Sequence, residues 1–214
     1  MRGIFVTGTG TGVGKTFVTA AWTRELRRRG NAALALKPIA CGGREDAEQF
    51  AAANDGTLTL NQINPVHLAA PLSPYAACLA AGKPFDLSVL RESMRVLTMT
   101  HAGPFLVEGI GGWLVPLTAN YFVRDWAREL ALPVAIVAPA TLGMLNHTLL
   151  TIESVRAAGC ELAGVIVNHH PADGDDLAVA TNTALLAELS AAPVFEFRTP
   201  EDLRRMPEWM ICGC

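Results

Sequence analysis

Short apolar runs alternate along the chain with longer stretches in which apolar residues return every three or four positions. The runs predict strands at Ile4–Thr7, Ala33–Lys37, Phe105–Glu108, Val134–Ala138 and Gly164–Asn168, with a weaker one at Pro193–Phe197. The periodic stretches predict helices at Lys15–Arg29, Asp46–Ala53, Pro74–Ala81, Leu87–Thr100, Val123–Leu130, Met144–Ala158 and Asp176–Ser190. Gly30, Gly82, Gly103 and Gly159 stand where four of these helices should stop. Apolar strands separated by helices mean repeated β-α-β units. The expected fold class is therefore α/β: three layers, with a mostly parallel central sheet and helices on both faces. In open sheets of this kind ligands bind beyond the carboxyl ends of the strands, so the residues following each strand are where chemistry is sought.

The pattern shows no repeat and no linker, and 214 residues suit one domain spanning 1–214, with the last fifteen or so residues the least firmly held. The least regular stretch runs from Asn54 to Pro74, with Asn-Asp-Gly and three prolines, and reads as a long functional loop.

Composition narrows the class. Half the residues are apolar and 17% are charged, yet no uncharged apolar run approaches the roughly 18–20 residues of a membrane span. Met1–Thr7 runs directly into a strand, which leaves no space for a cleaved signal and predicts a cytoplasmic protein with no membrane partner. A net charge of −3 argues against nucleic acid as a partner. The one basic run, Arg27-Arg28-Arg29, suits the C-terminal turn of a helix, where cations complement the dipole. Five scattered cysteines, Cys41, Cys78, Cys160, Cys212 and Cys214, do not form a disulfide framework. Cys212-Gly213-Cys214 lacks further metal ligands nearby, and His169-His170 are adjacent in sequence, so their rings cannot both face one ion from a regular element.

The candidate chemistry begins after the first strand. Gly8-Thr9-Gly10-Thr11-Gly12-Val13-Gly14-Lys15-Thr16 opens a helix, the context a phosphate-binding loop requires. Its successive N–H groups face an anion, the lysine reaches the β and γ phosphates, and the threonine hydroxyl can ligate magnesium. The generic motif places four residues between its first glycine and Gly-Lys, whereas five separate Gly8 from Gly14. The chain has 14 arginines and three lysines, and two of those lysines, Lys15 and Lys37, fall beyond or at the ends of the first two strands. Lysine is a compact, mobile point charge suited to a phosphoryl group; the other reading of Lys37 is a strand-end residue reaching solvent. The third strand ends in Glu108, placed to complete a magnesium shell, followed by Gly109-Ile110-Gly111-Gly112, which permits close approach of a ligand. Asp46 is either a second magnesium carboxylate or a solvated first-turn residue beside Glu45 and Glu48.

Taken together, Gly8–Thr16, Lys37-Pro38, Ser73-Pro74, Val107-Glu108-Gly109 with Gly111-Gly112, and Leu142-Gly143 with Asn146-His147 resemble the dethiobiotin synthetase family of phosphate-loop nucleoside triphosphatases. The resemblance covers roughly residues 3–170. It implies closure of the ureido ring of dethiobiotin from 7,8-diaminopelargonate, CO2 (or bicarbonate) and ATP, with Mg2+, through a carbamate and its mixed anhydride with phosphate. It further implies that Gly12, Val13, Gly14, Lys15 and Thr16 hold the nucleotide and Asn168 meets its base, while Thr16, Asp46 and Glu108 serve magnesium. Lys15, Lys37 and Thr11 would be catalytic, and Thr11, Lys37, Cys41, Gly111, Gly112 and Asn146 would line the substrate, Asn146 reaching across a homodimer. Three departures accompany it. Cys41 stands where the family commonly has a small hydroxyl; Phe195–Pro200 replaces the usual Gly-Glu-Ile-Pro, where the base is read; and the tail after Pro200 is short. The competing reading is a ParA/MinD-like ATPase switch acting on DNA or membrane. Such switches carry an extra lysine early in the loop and a basic or amphipathic C-terminal helix, and neither residues 9–13 nor residues 202–214 supply one.

Overall fold

The computed structural model describes residues 1–169 and 177–212. In chain order it contains β1 (Gly3–Gly8), α1 (Lys15–Arg28), β2 (Leu34–Leu36), β3 (Ile39–Cys41), α2 (Glu45–Ala53), α3 (Leu60–Ile63), β4 (Val66–Leu68), α4 (Pro74–Ala81), α5 (Leu87–Thr100) and β5 (Phe105–Glu108). These are followed by β6 (Pro116–Thr118), β7 (Tyr121–Phe122), α6 (Val123–Leu130), β8 (Val134–Pro139), α7 (Met144–Ala157), β9 (Leu162–Asn168), α8 (Leu177–Ser190), β10 (Val194–Phe197), a 3-10 turn (Pro200–Arg205) and α9 (Glu208–Cys212). Among the described residues six strands form one parallel sheet in the order β10-β9-β8-β1-β5-β2. This is the expected three-layer α/β architecture.

The strands read as unbroken apolar runs because both sheet faces are buried. Along β1, Phe5 points into one core with Val107 and Ile136, while Ile4 and Val6 point into the other with Leu106 and Val137. The first core is covered by α2, α5, α6 and α7 through Phe50, Leu90, Trp126 and Ile152. The second is covered by α1 through Val18, Trp22 and Leu26, together with the end of the chain. Register aligns Val6 with Glu108 and Gly8 with Val137, so the carboxyl ends of β1, β5 and β8 open at one edge. The chain builds β2 and β5 on one side of β1 and β8 to β10 on the other, which puts the topological switch, and the crevice it leaves, above β1.

The structure corrects several expectations. The predicted strand Ala33–Lys37 stops at Leu36 in the main sheet. Beyond Pro38, which has no N–H to donate, the chain turns away and pairs β3 with β4 in a separate two-stranded parallel sheet. The stretch from Asn54 to Pro74 is therefore not one loop; it holds β4 and also α3, whose Thr59 and Gln62 form a capping box. The hairpin of β6 and β7 lies between two predicted elements. Gly103 does not end α5, which stops at Thr100 with His101 already extended. His170, Asp176 and the Cys214 end of the terminal thiol pair lie outside the described residues.

Up to Met210 the C-terminal segment is packed against α1. Met210 is fully buried, its carbonyl accepts a hydrogen bond from Trp22 Nε1 at 3.0 Å, and Trp209 packs edge-on against Trp22 at 5.9 Å between centroids. The Arg27–Arg29 run is tied down beside it: Arg28 and Arg29 share Glu25, and Arg29 also donates to the carbonyls of Leu203 and Arg204. Met210→Ala should therefore lower the unfolding free energy by about 2–4 kcal/mol, the cost of emptying a closed core site. Chemical denaturation of the two proteins side by side measures it; a loss below about 0.5 kcal/mol would mean the tail is not part of the fold's stability.

Candidate functional site

The loop between β1 and α1 is held open by backbone conformations that suit glycine. Gly12 and Gly14 have φ of 75° and 86°, and a Cβ on Gly14 would come within 2.1 Å of Asn168 Nδ2. From the end of β9 that same Asn168 donates to the Val13 carbonyl at 3.1 Å, and Thr9 N donates to the Val137 carbonyl at 3.1 Å. Gly112 closes the other side, its missing side chain leaving contact distance to Gly8 and Gly10. Three strands thus fix a loop whose amides and helix start face outward, the arrangement that receives phosphate.

Four charged side chains converge beside it. Lys15 Nζ donates to the Gly10 carbonyl at 2.8 Å, inside the loop. Lys37, immediately after β2, contacts Glu108 Oε1 and lies 2.8 Å from Asp46 Oδ2. Thr16 Oγ1 donates to the same Glu108 oxygen at 3.0 Å. Lys15, Lys37 and Glu108 are 6%, 5% and 1% exposed, and the second carboxylate oxygen of Glu108 is buried with no hydrogen-bond partner. The solvent-reaching alternative for Lys37 is thereby excluded, whereas Asp46 contacts the cluster through Lys37 while its side chain stays 44% exposed.

The electrostatics follow from that burial. Desolvation drives Lys15 down from 10.5 to about 8, against the pull of Glu108 and with a push from Lys37. Burial would lower Lys37 as well, but the charges of Glu108 and Asp46 and their hydrogen bonds outweigh it and hold the ammonium above its ordinary value. Asp46 resists its own desolvation for the same reason and lies below the usual carboxylate range, drawn down by Lys37 and by the Thr16 hydroxyl. Burial pushes the Cys41 thiol up to about 11, so at neutral pH it is an uncharged, weak hydrogen-bonding group.

A cleft of about 480 Å³ opens over these groups. Of the residues expected at the site, it brings together Thr11, Gly12, Gly14, Lys15, Thr16, Lys37, Cys41, Asp46, Glu108 and Gly111. Val13 and Asn168 are buried behind the loop, and Gly112 packs beneath it. Asn146 does not reach the cleft; it sits exposed on the first turn of α7. Phe17, Gln49 and Ile110 line the cleft and were not expected there. Each had a signal in the sequence: Phe17 follows the motif's threonine, Gln49 lies one helical turn beyond Asp46, and Ile110 stands between Gly109 and Gly111.

Comparison with known proteins bears on this arrangement directly. The family model of an AAA domain matches residues 2–198. The ATP-dependent dethiobiotin synthetase of Anaeromyxobacter dehalogenans is 44% identical over 194 residues, covering 89% of this chain and 86% of that protein. Those of Akkermansia muciniphila and Aquifex aeolicus are 38% and 36% identical, covering 91% and 94% of this chain and 90% and 93% of theirs.

The chain belongs to the dethiobiotin synthetase family.

Solved structures show the fold more widely. The cell-division ATPase MinD of Pyrococcus furiosus superposes with a TM-score of 0.57 at 17% identity, covering 100% of this chain and 90% of that one. A ParA-family ATPase of Chlorobium tepidum gives 0.56 at 12%, covering 99% and 89%. Identity this low speaks to the shared phosphate-loop architecture alone, while the dethiobiotin synthetase likeness extends through sequence. Among the described residues no helix is long and apolar enough to cross a membrane.

The strain on Lys15 has a measurable consequence. Its folded-state pKa lies below the unfolded one, so between about 8 and 10.5 the folded protein binds fewer protons than the unfolded chain. Stability contributed by this group therefore rises with pH across that window, and below it the burial penalty is fully present. Lys15→Met should raise the stability of the ligand-free protein at pH 7 by roughly 1–2 kcal/mol, net of the lost bond to Gly10, and remove its share of the alkaline rise. Nucleotide binding should be lost. Thermal unfolding at pH 7 and pH 10 checks the sign, and a destabilised variant at pH 7 would refute it.

Proposed function

We propose that this family member closes the ureido ring of dethiobiotin from 7,8-diaminopelargonate, carbon dioxide and ATP, in the cytoplasm. The observation that carries the reading is the buried Lys37, held between Asp46 and Glu108 at the edge of a phosphate loop. One amine of the substrate takes up CO2, releasing a proton, to give a carbamate. A carbamate oxygen then attacks the γ-phosphorus of ATP and ADP leaves. Finally the second amine attacks the carbonyl carbon of the mixed anhydride, loses its proton and expels inorganic phosphate. Carbamate and γ-phosphate are both anions, so their approach requires positive charge already in place. Lys15 and the loop amides would hold the phosphates, and Lys37 would hold the carbamate beside them, with Thr11 and Gly111 against the same group. None of the three steps requires a protein nucleophile.

A divalent cation suits the residues present. The unpartnered buried oxygen of Glu108, the Asp46 carboxylate and the Thr16 hydroxyl form an all-oxygen donor set of the kind magnesium prefers. Thr16, Asp46 and Glu108 would hold Mg2+, which when bound neutralises charge developing on the transferred phosphoryl group. Asn168 would reach the base from behind the loop. The exposed face at the start of α7, with Leu142 83% and Leu150 62% exposed around Asn146, supports a homodimer in which Asn146 serves the partner's cleft.

Purified protein mixed with diaminopelargonate, bicarbonate, Mg2+ and ATP should yield dethiobiotin by mass. Lys37→Gln should reduce that yield by about a hundredfold or more while weakening nucleotide binding only modestly. No product, together with ATP turnover stimulated by DNA or lipid, would replace this reading with the switch.

Cys41 gives a finer test. A hydroxyl donates and accepts more strongly than an uncharged thiol, so Cys41→Ser should lower the KM for the diamine by roughly threefold to tenfold with kcat little changed. Steady-state kinetics at saturating ATP measure it; an unchanged or raised KM would remove Cys41 from substrate binding.

A further inference from the structure

The cation site proposed above and the resting place of Lys37 are the same carboxylates. Lys37 Nζ contacts Glu108 Oε1 and stands 2.8 Å from Asp46 Oδ2, with Thr16 Oγ1 on the same Glu108 oxygen at 3.0 Å. The ammonium is buried, and among the described residues its ion-pair partners are Glu108 and Asp46, while Lys15, which acts on the same cluster, is of like sign. An ammonium on one Glu108 oxygen and on Asp46, and a divalent cation on the other Glu108 oxygen and the same Asp46, would be like charges crowded onto one carboxylate pair. They repel strongly where Glu108 and Lys37 are buried. Lysine can yield the position, because its charge sits on a flexible stem, where a guanidinium would be locked by its fork.

We propose that Lys37 is the positioning residue that occupies the Asp46–Glu108 carboxylate pair in the ligand-free protein and is displaced from it by the divalent cation, so that metal loading releases the ammonium toward the cleft where the anionic substrate lies. This rests on the metal assignment above and adds an order to it: cation first, carbamate second. Lys37 has two successive partners. Until the metal arrives it keeps the buried Glu108 and the half-exposed Asp46 together; afterwards its charge is available to the substrate.

The consequence is opposite to that of an ordinary active-site substitution. Removing Lys37 should improve metal binding. Mn2+ binding to the protein without substrate, followed by water-proton relaxation, should be at least tenfold tighter in Lys37→Met than in the wild type. In Lys37→Arg, which keeps the charge, it should be no tighter than in the wild type. A merely structural role for Lys37 would leave affinity unchanged or weaken it, and either result overturns the proposal. The second readout uses the wild-type protein, whose amine targets for acetic anhydride are three lysines and the amino terminus. Mass spectrometry should show acylation of Lys37, relative to exposed Lys83, rising severalfold when Mg2+ alone is added. No rise would equally overturn it. Neither readout involves the diamine or its product, so failure here leaves dethiobiotin formation standing, and absence of dethiobiotin in the assay above leaves these binding results intact.

Discussion

Two lysines and two carboxylates at the ends of three parallel strands set the terms on which the rest of this protein is built. Three of the four, Lys15, Lys37 and Glu108, are buried, and an isolated buried charge is far more costly than any single core contact is favourable. They persist because they are paired: Lys37 with Glu108 and Asp46, and Lys15 with a loop carbonyl. The balance is uneven. Lys37 has two counter-charges and Lys15 has none within hydrogen-bonding distance, which is why burial depresses only Lys15. The unequal pairing leaves one lysine electrostatically unsatisfied, which under the proposed function would favour an anionic phosphate beside it.

Holding such a cluster requires a frame that does not relax to relieve it. The parallel sheet supplies this because both its faces are packed, so β1, β5 and β8 cannot shift without disturbing two cores. The glycines of the loop are fitted to their neighbours as well: Asn168 occupies the space a side chain on Gly14 would need, and its amide ties the loop to β9. The anchored tail braces α1, the helix whose first turn carries Lys15 and Thr16, through Trp22 and Met210. Elements distant in sequence thus converge on one helix start.

The parts legible in the sequence are those fixed by local rules. The phosphate loop has its glycines, lysine and threonine in one stretch, and the strands carry the apolar signature of two-sided burial, so both could be placed from the residues alone. The short sheet of β3 and β4 was not legible, because its three-residue strands pair across 27 positions and owe their existence to Pro38 turning the chain out of the main sheet. The anchored tail escaped for a related reason: nothing local to Met210 shows that Trp22 will lie over it. At the site, the glycine-rich loop and Glu108 were readable, whereas Asp46 stood evenly between solvent and site until the fold placed Lys37 against it. Asn146 was assigned by resemblance, and a single chain leaves it on the surface.

The scarcity of lysine gains a physical reason from the structure. Where this chain needs a fixed cation it uses arginine, as in the bidentate grip of Arg28 on Glu25 and of Arg91 on Glu129. Those forks complement a carboxylate's two oxygens and are hard to dislodge. Lysine appears twice in the cleft, where Lys15 meets the Gly10 carbonyl and Lys37 two carboxylates, and under the proposed function each ammonium would also serve an anionic ligand, a phosphate for Lys15 and a carbamate for Lys37. A planar group could satisfy one of those partners well. A point charge on a four-carbon stem could satisfy both in turn, and at two buried positions that exchange would outweigh the stronger grip.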